Sequence, residues 1–494
     1  MNTLSDSATR PRLPEGRNFI AGEWRDESGA ERITVTDPAS ETVLGDIPCS
    51  SAATVDKAVR AARKAFNDPA WSNLAPMERE ALLHRLAALV EQHADDLATI
   101  ESLDNGKPIA FSSTLDVPLS AQWLHYFAGW PSKLSGRSMH PAVQPTGSHH
   151  AYTLRQPVGV VGAIVPWNFP LVLAIWKLAP ALAAGNTVVI KPAEQTPYSL
   201  LKLAELIEAA GFPPGVVNVV LGDGRTTGQA IVDHPGVDKI SFTGSTAVGK
   251  HLLTSAANDL KRVTLELGGK SPTVILPDAD LETAIPGAAQ AVFVNSGQIC
   301  FAGTRLFAPR KHFDRILEGV AEAAKSFPVG AGLDPNSMLG PVVSQQQMDS
   351  ILGKVEAGVK AGASTFCGGG RLDREGYFLE PTILVTDDAQ NPAYREEIFG
   401  PVLTATRYDE LDDIIAMAND SEYGLSANLY TSHFGLAHRL AAQLQAGTVW
   451  INTQLSPDPH IPFGGFKQSG WGRENGEDVF AHYTETKSVI ASLA

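Results

Sequence analysis

The sequence is poor in cysteine. Its 494 residues contain three, Cys49, Cys300 and Cys367, which lie far apart and form no C-x-x-C pair. That spacing excludes a disulfide scaffold and a cysteine-based zinc site. We therefore expect no bound metal, free structural thiols at 49 and 367, and a reducing compartment such as the cytoplasm.

Long apolar runs are also scarce. The longest, residues 158–176, contains Pro166 and Pro170 on either side of the polar Asn168. A strand, a turn and a buried helix therefore fit this stretch better than a membrane span. The polar segment 1–16 lacks the apolar core of a signal peptide. Neither membrane association nor secretion is expected, which again indicates the cytoplasm.

Positive charge is in deficit. Lys and Arg number 39 against 54 Asp and Glu, which gives a net charge of −15. Such a charge favours solubility and argues against nucleic acid or an anionic membrane as a main partner. The fractions of hydrophobic residues, 44%, and of charged residues, 19%, are those of an ordinary globular protein. The chain is long enough for two or three domains.

The usual dinucleotide fingerprint is missing, because no G-x-G-x-x-G follows a predicted strand. Residues 244–251 nearly match the phosphate loop of NTPases, but His251 stands where a magnesium-binding hydroxyl is required. An NTPase is therefore disfavoured. The glycine turn after the predicted strand 239–242 can still offer helix N-terminal N–H groups to a pyrophosphate.

Strands and helices alternate along most of the chain. Between 158 and 267 the predicted order is β-α-β-α-β-α-β-α-β, which is typical of a parallel sheet covered on both faces. A second alternating half follows, and residues 135–152 and 484–494 fit neither half. The supporting segments are helices at 53–66, 76–103, 197–210, 281–294 and 312–325, and strands at 187–190, 216–221, 239–242 and 273–276.

Cys300 is the candidate nucleophile, since small and polar neighbours precede it. A thiol attacks only as a thiolate, so this role predicts a pKa lowered by a helix start or a nearby positive charge. Glu266 is the candidate base, at the end of a predicted strand before a Gly-Gly turn. Alone, Cys300 could be a small buried hydrophobe and Glu266 an exposed acid. Together they predict a catalytic pair at the strand ends of an α/β enzyme.

Several further motifs accompany this pair in a fixed order. With them the chain resembles the NAD(P)-dependent aldehyde dehydrogenase superfamily from about Asn18 to the C-terminus. The motifs are Pro-Trp-Asn-Phe-Pro at 166–170, Lys-Pro-Ala-Glu at 191–194, Phe-Thr-Gly-Ser-Thr at 242–246, Leu-Glu-Leu-Gly-Gly at 265–269, Gly-Gln-Ile-Cys at 297–300, Glu-Ile-Phe-Gly-Pro at 397–401 and Pro-Phe-Gly-Gly-Phe-Lys-Gln-Ser-Gly at 462–470.

The resemblance implies an α/β fold. It consists of two doubly wound parallel-sheet domains, one for the cofactor and one catalytic, and a small β oligomerisation arm. The implied bounds are 18–130 and 152–264 for the NAD-binding domain, 265–477 for the catalytic domain, and 131–151 with 478–494 for the arm. A homo-oligomer, either a tetramer or a dimer, is therefore expected.

The resemblance also implies the chemistry. Cys300 would add to an aldehyde, and Asn168 with the Cys300 backbone N–H would form the oxyanion hole. Glu266 would then activate water to hydrolyse the thioester. Coenzyme-A-acylating relatives usually lack this glutamate, so the hydrolytic branch is favoured over the acylating one. A catalytically silent relative is disfavoured, because Cys300, Glu266, Asn168, Lys191 and Glu397 occur together.

NAD is the expected cofactor. Lys191 and Glu194 follow the predicted strand 187–190, where a carboxylate can accept both ribose hydroxyls and repel the 2′-phosphate of NADP. Without the resemblance, these two residues could be only a solvated ion pair. The resemblance also implies that Glu397 binds the nicotinamide ribose and that Phe399 packs beside the nicotinamide. The full cofactor set is Ile164, Val165, Pro166, Trp167, Lys191, Glu194, Gly224, Phe242, Gly244, Ser245, Val248, Leu267, Glu397 and Phe399.

The expected substrate is an aryl-acetaldehyde. In the resembled family, the positions of Phe169, Trp176, Phe301 and Phe463 line the aldehyde tunnel. Their aromatic surfaces would suit an apolar or aromatic aldehyde, although they could equally be core. Asp-Pro at 458–459, before the Pro-Phe-Gly-Gly motif, is similar to phenylacetaldehyde dehydrogenases. Medium-chain aliphatic aldehydes rank second, and betaine aldehyde lower, because no anionic cluster for a quaternary ammonium is evident. The predicted tunnel residues are Phe169, Leu173, Trp176, Phe301, Pro457 and Phe463.

Overall fold

The computed structural model describes residues 12–493. Most of the polar segment 1–16 and the last residue of the predicted arm, Ala494, lie outside the described residues. The helices, numbered in chain order, are α1 (Ala52–Asn67), α2 (Pro69–Ser72), α3 (Pro76–Gln92), α4 (Ala94–Asn105), α5 (Ile109–Phe111), α6 (Val117–Ala128), α7 (Pro170–Ala183), α8 (Tyr198–Ala210), α9 (Gln229–Asp233), α10 (Thr246–Ala256), α11 (Leu281–Phe293), α12 (Phe313–Lys325), α13 (Gln345–Lys360), α14 (Pro392–Arg395), α15 (Leu411–Asn419), α16 (Phe434–Ala441) and α17 (Phe480–Tyr483).

The strands form two large sheets and two small ones. Numbered in the same way, they are β1 (Asn18–Ile20), β2 (Glu23–Arg25), β3 (Arg32–Thr36), β4 (Val43–Pro48), β5 (Ser138–Met139), β6 (His149–Pro157), β7 (Val160–Ile164), β8 (Thr187–Lys191), β9 (Val217–Val219), β10 (Lys239–Thr243), β11 (Arg262–Glu266), β12 (Pro272–Ile275), β13 (Arg305–Pro309), β14 (Ser364–Cys367), β15 (Thr382–Val385), β16 (Val402–Tyr408), β17 (Ser426–Tyr430), β18 (Thr448–Ile451), β19 (Gly470–Trp471) and β20 (Thr484–Ser492).

The first large sheet has the strand order β19-β11-β10-β7-β8-β9-β1-β2. Its five central strands are parallel, and β19, β1 and β2 pair antiparallel at the edges. The predicted alternation from β7 to β11 is confirmed. Every residue of β7, β8 and α7 is buried. A parallel sheet with helices on both faces requires such continuous apolar runs.

The second large sheet has the order β14-β15-β16-β13-β12-β17-β18, in which only β14 pairs antiparallel among the described strands. Its two faces carry different cores. In β13, Leu306 and Ala308 belong to one apolar cluster, and Phe307 between them belongs to another. Successive side chains of a strand point to opposite faces, so this sheet is covered on both sides. The predicted two-sheet α/β fold is thus confirmed.

A three-stranded sheet, β20-β6-β5, occupies the predicted arm. Strands β20 and β6 pair antiparallel from Thr484 opposite Pro157 to Ser492 opposite His149. The predicted boundary between residues 151 and 152 therefore falls inside β6. The arm segment predicted to begin at residue 478 also includes α17, whose Phe480 is buried in the core of the first sheet.

Two local predictions differ from the structure. The helical stretch predicted at 76–103 is two helices, because the backbone of His93 leaves helical geometry at φ −106° and ψ 25°. Periodicity misses this break because apolar residues of both helices face the same core. The strand predicted at 216–221 is confined to β9. No helix among the described residues is long and apolar enough to cross a membrane.

Candidate active site

Cys300 follows a turn with an unusual backbone. After α11, the residues Asn295, Ser296 and Gly297 adopt φ values of 50°, 52° and 72°. Residues other than glycine rarely adopt this left-handed backbone conformation. Gly297 is required here, because a Cβ atom would lie 1.9 Å from the carbonyl oxygen of Gly400. The turn carries the chain from α11 directly to the thiol.

Side-chain hydrogen bonds hold this turn in place. The Ser296 hydroxyl donates to the carbonyl oxygen of Gly340 at 2.7 Å. The Gln298 side-chain oxygen accepts the backbone N–H of Val343 at 2.9 Å. Both side chains are buried. Cys300 therefore sits on a loop that is fixed on both sides of Gly297.

Two cavities meet at Cys300. Together with Thr243, it lines a mainly apolar cavity and a more polar one. We call these the apolar cavity and the polar cavity. Cys300 therefore lies where the two cavities adjoin.

Asn168 lies between β7 and α7, beside the cysteine loop. Its side-chain amide donates to the carbonyl oxygen of Gln298 at 2.9 Å. Its own carbonyl oxygen accepts the Asn295 side-chain amide at 3.3 Å. Asn168 is buried and lines the polar cavity with Cys300. The structure thus brings Asn168 to the loop of the predicted nucleophile.

Glu266 is the last residue of β11 and lines the apolar cavity. Its carboxylate oxygens are buried, and neither has a hydrogen-bond partner among residues 12–493. Burial raises the pKa of Glu266 well above its ordinary value, and the negative charge of Glu474 raises it further, while Lys177 opposes the shift. The surroundings therefore favour the protonated carboxyl group.

The pKa of Cys300 is also raised. Burial is the largest cause, and the negative charges of Glu397 and Glu266 add to it. Backbone N–H groups of Cys300 and Phe301 oppose the shift. Among residues 12–493, neither a helix start nor a positive charge provides the predicted lowering, because Cys300 lies in a turn and the charges that act on it are carboxylates.

Aromatic rings form one wall of the apolar cavity. Phe463 packs edge-on against Trp176 and Phe301, with ring centroids 5.4 and 5.6 Å apart, and Phe301 lies 5.5 Å from Trp450. Such tilted contacts are favourable for aromatic pairs. All the predicted tunnel residues line this cavity, namely Phe169, Leu173, Trp176, Phe301, Pro457 and Phe463.

The polar cavity lies at the start of α10 and beside Glu397. The Glu397 carboxylate accepts the backbone N–H of Gly269 at 2.9 Å, and burial raises its pKa to about 7. Trp167 and Phe399 meet edge to face, with centroids 5.3 Å apart. The predicted cofactor residues that line this cavity are Pro166, Trp167, Gly244, Ser245, Leu267, Glu397 and Phe399.

The remaining predicted cofactor residues lie outside the lining of the polar cavity, around neighbouring strand ends. Ile164 is in register with Lys191 and Phe242 at the ends of β7, β8 and β10. Val165 follows Ile164, Val248 lies in the first turn of α10, and Gly224 begins a short π-helical turn after β9.

Lys191 is buried among acceptors. Its ammonium group donates to the carbonyl oxygens of Gly222 at 2.6 Å and Pro192 at 2.7 Å. It also meets the Glu194 carboxylate at 3.3 Å. Burial lowers the pKa of Lys191, while Glu194 acts in the opposite direction. The pair is anchored in the protein, unlike a solvated surface ion pair.

With this geometry established, comparison with known proteins decides the family. Residues 24–489 match the aldehyde dehydrogenase family. The chain belongs to the aldehyde dehydrogenase family. It is 43% identical to a phenylacetaldehyde dehydrogenase of Pseudomonas fluorescens, over 99% of this chain and 98% of that protein.

Solved structures agree with that assignment. An NAD+ complex of a Bacillus cereus aldehyde dehydrogenase superposes with a TM-score of 0.96 at 42% identity, and 99% of each chain is covered. The P. syringae indole-3-acetaldehyde dehydrogenase, in complex with NAD+ and IAA, gives a TM-score of 0.94 at 42% identity, with 97% of each chain covered. The predicted family and fold are thus confirmed.

In this aldehyde dehydrogenase, the structure adds an ion pair that the sequence analysis missed. Lys177 of α7 donates to the Thr243 hydroxyl at 2.8 Å and pairs with the buried carboxylate of Glu474. Thr243 and Glu474 line the apolar cavity beside Glu266. The sequence signal for this ion pair was Lys177 itself, a single lysine in the otherwise apolar sequence of α7.

Helix α13 also contributes to the site of this aldehyde dehydrogenase. Its residues Gln347, Ser350 and Lys354 line the polar cavity. The Lys354 ammonium donates to the backbone carbonyl of Glu397, and the Gln347 amide donates to that of Phe399 at 2.9 Å. Nothing in the spacing of these polar residues on an amphipathic helix distinguishes them from a solvated face.

Proposed function

We propose that this aldehyde dehydrogenase oxidises aryl-acetaldehydes to their carboxylic acids with NAD, through a thioester on Cys300. The observation that carries the proposal is that Cys300 opens both to the aromatic apolar cavity and to the polar cavity. The first suits an apolar aldehyde, and the second suits a polar cofactor. Oxidation requires both reactants to meet at the sulfur.

The donor set fits NAD. Ser245 caps α10, whose first N–H groups suit a pyrophosphate. Glu194 and Lys191, at the end of β8, suit the hydroxyls of one ribose, and Glu397 suits those of the other. A 2′-phosphate would meet the negative charge of Glu194, so NAD is favoured over NADP. The two solved relatives described above also contain NAD+.

Cys300 begins the reaction. Once its thiol has given up its proton to water, the thiolate sulfur forms a bond to the aldehyde carbon, and the carbonyl electron pair moves onto oxygen. The Asn168 amide nitrogen carries two N–H bonds, and only one is needed for the carbonyl of Gln298. The other, with the Cys300 backbone N–H, would stabilise the oxyanion. Bound NAD would supply the acceptor for the hydride that leaves the aldehyde carbon when the thioester forms.

Glu266 completes the reaction. Its ionised carboxylate removes a proton from water, the water oxygen bonds to the thioester carbon, and the carbon–sulfur bond breaks to release the acid and the Cys300 thiolate. Glu474, the ion-pair partner of Lys177, lines the same cavity as Glu266. Burial, and then the charge on Glu474, raise the pKa of Glu266, so the base form appears only as the pH rises.

The aromatic wall supports an aryl substrate. Phe301, Phe463 and Trp176 offer ring faces and edges at the spacing that aromatic pairs prefer. The similarity to phenylacetaldehyde and indole-3-acetaldehyde dehydrogenases points to the same class. Medium-chain aliphatic aldehydes are the second candidate, because an apolar cavity also accepts alkyl chains.

Kinetics with several aldehydes test this function. NADH formation is followed with phenylacetaldehyde, hexanal and betaine aldehyde, with Cys300→Ala as the blank and Cys367→Ala as the matched control. We expect the highest rate with phenylacetaldehyde, lost only in Cys300→Ala. A preference for hexanal would contradict the aryl assignment, and a strict need for added coenzyme A would contradict the hydrolytic one.

The proposal extends to domains and assembly. The first sheet, with most of residues 18–130 and 152–264, would hold the cofactor, and residues 265–477 would supply the nucleophile. The sheet of β20, β6 and β5 would join subunits of a homo-oligomer, because β20 is an edge strand and Ile490 on it is 67% exposed. The three free cysteines suit a cytoplasmic enzyme.

A further inference from the structure

The end of α4 contacts both residues that flank Asn168. The Asn105 side-chain amide donates to the carbonyl oxygen of Trp167 at 2.7 Å. The Lys107 ammonium lies 4.2 Å from the ring centroid of Phe169, within the range of a cation–π contact. We call residues 104–107 the α4 turn. It therefore holds the backbone on one side of Asn168 and the side chain on the other.

The α4 turn is itself rigid. Gly106 adopts a φ of 87°, and a Cβ atom there would lie 2.6 Å from Pro38 and 2.7 Å from Pro341. Asn105 and Lys107 are both buried. A hydrogen bond or ion pair in a dry environment is stronger than at the surface, so these groups stay where their partners hold them.

Lys107 is fixed by two carboxylates. Its ammonium pairs with Glu101 at 3.0 Å and with Asp116 at 2.5 Å, and all three side chains are buried. A buried charge without such partners would be strongly destabilising. The pairing leaves the ammonium little freedom, and Lys107 and Asp116 also line the apolar cavity. The position of the charge over Phe169 is therefore set by α4 and the residues before α6.

The α4 turn also contacts the support of the cysteine loop. The backbone of Gly340 approaches Gly106 so closely that a Cβ atom on Gly340 would lie 2.0 Å from the Gly106 carbonyl oxygen. The carbonyl oxygen of Gly340 accepts the Ser296 hydroxyl at 2.7 Å. One turn thus contacts both the Asn168 segment and the segment that holds the cysteine loop.

From these contacts we propose that Asn105 and Lys107 are positioning residues of the oxyanion hole. They hold Trp167 and Phe169, and thereby aim the Asn168 amide at the carbon–oxygen bond of a substrate on Cys300. The inference rests on the proposed function, because it requires Asn168 to be an oxyanion donor. A donor displaced by about 1 Å stabilises the transition state much less, and such a displacement costs up to about 100-fold in rate.

Asn105→Ala tests the inference. We expect kcat and the burst rate to fall about 10- to 100-fold, with the KM for the aldehyde changed by less than about twofold, since oxyanion stabilisation acts on the transition state. The matched control is Asn218→Ala. Asn218 is also buried, and its amide donates to a carbonyl, that of Gly215, at the same distance of 2.7 Å. The control should keep its kcat.

A double mutant separates positioning from general loss of structure. In an Asn168→Ala background, adding Asn105→Ala should lower the burst rate by less than about a further twofold, because the group that Asn105 positions is already gone. The positioning role would be overturned if the rate losses of Asn105→Ala and Asn168→Ala multiplied in the double mutant. It would also be overturned if Asn218→Ala lost as much activity as Asn105→Ala. If Asn168→Ala alone leaves the burst rate unchanged, the oxyanion assignment itself fails, and the positioning role with it. Asn105→Ser provides the same comparison if the alanine variant does not fold.

Discussion

The side-chain amide of Asn168 donates to the backbone carbonyl of Gln298 at 2.9 Å, two positions before Cys300. Asn168 follows a strand of the first large sheet, and Gln298 precedes a strand of the second. One hydrogen bond therefore joins the two halves of the molecule at the candidate nucleophile. The candidate catalytic groups come together only when both sheets are in place.

Glu266→Gln should separate the two chemical steps. The glutamine cannot remove a proton from water, but it leaves the Cys300 thiol in place, so one burst of NADH should remain while steady turnover falls by about 100-fold or more. Rapid-mixing measurement of NADH with phenylacetaldehyde checks this. Loss of the burst together with turnover would contradict the assignment of Glu266 to hydrolysis.

The stability of the enzyme should depend on pH through Glu397. Burial raises its pKa from 4.5 to about 7, so the folded protein binds this proton more tightly than the unfolded chain. The resulting stabilisation is complete below 4.5 and is lost as the pH rises through about 7. Glu397→Gln cannot ionise, so its Tm relative to wild type should rise over this interval and then level off.

Thermal unfolding at a series of pH values tests the Glu397 prediction. Glu396→Gln is the matched control, because Glu396 is the adjacent glutamate in the sequence and is exposed. Its Tm difference from wild type should stay constant. A constant difference for Glu397→Gln as well would show that its ionisation is not linked to folding.

Glu194→Ser should weaken the preference for NAD over NADP. Removing the carboxylate removes its repulsion of a 2′-phosphate, and like charges in contact cost several kcal/mol, so the preference should fall about tenfold or more. The ratio of kcat/KM values for the two cofactors measures it. Glu205→Ser is the control, since Glu205 pairs with Lys202 at 2.9 Å in a similar i,i+3 arrangement. An unchanged ratio in Glu194→Ser would rule out its role in discrimination.

Phe301→Thr should shift the substrate preference. The change removes a ring that contacts both Phe463 and Trp450, and an aromatic contact contributes about 0.5–1.5 kcal/mol beyond its buried area. The kcat/KM for phenylacetaldehyde should therefore fall about tenfold relative to that for hexanal. The matched change, Phe434→Thr, is at a ring that is 79% exposed and should leave the ratio of the two kcat/KM values unaltered. Equal losses for both aldehydes would count against a specific aromatic contact.

The alternation of strands and helices was predictable because its signals are local. The apolar run of β8 and the glycine that ends α8 are readable without knowledge of any partner. The break at His93 was not readable, because both helices it separates face one core. The extension of β6 to Pro157 depends on pairing with β20, more than three hundred positions away.

The sequence by itself determined the family and the candidate reactive groups, because Cys300, Glu266 and Asn168 lie in short motifs that retain their order and spacing. Only the tertiary structure decided their surroundings. It paired Lys177 with Glu474, 297 positions apart, set two carboxylates around the thiol, and placed Asn105 against Trp167. Burial and electrostatic interactions depend on distance in space, and separation along the chain does not specify that distance.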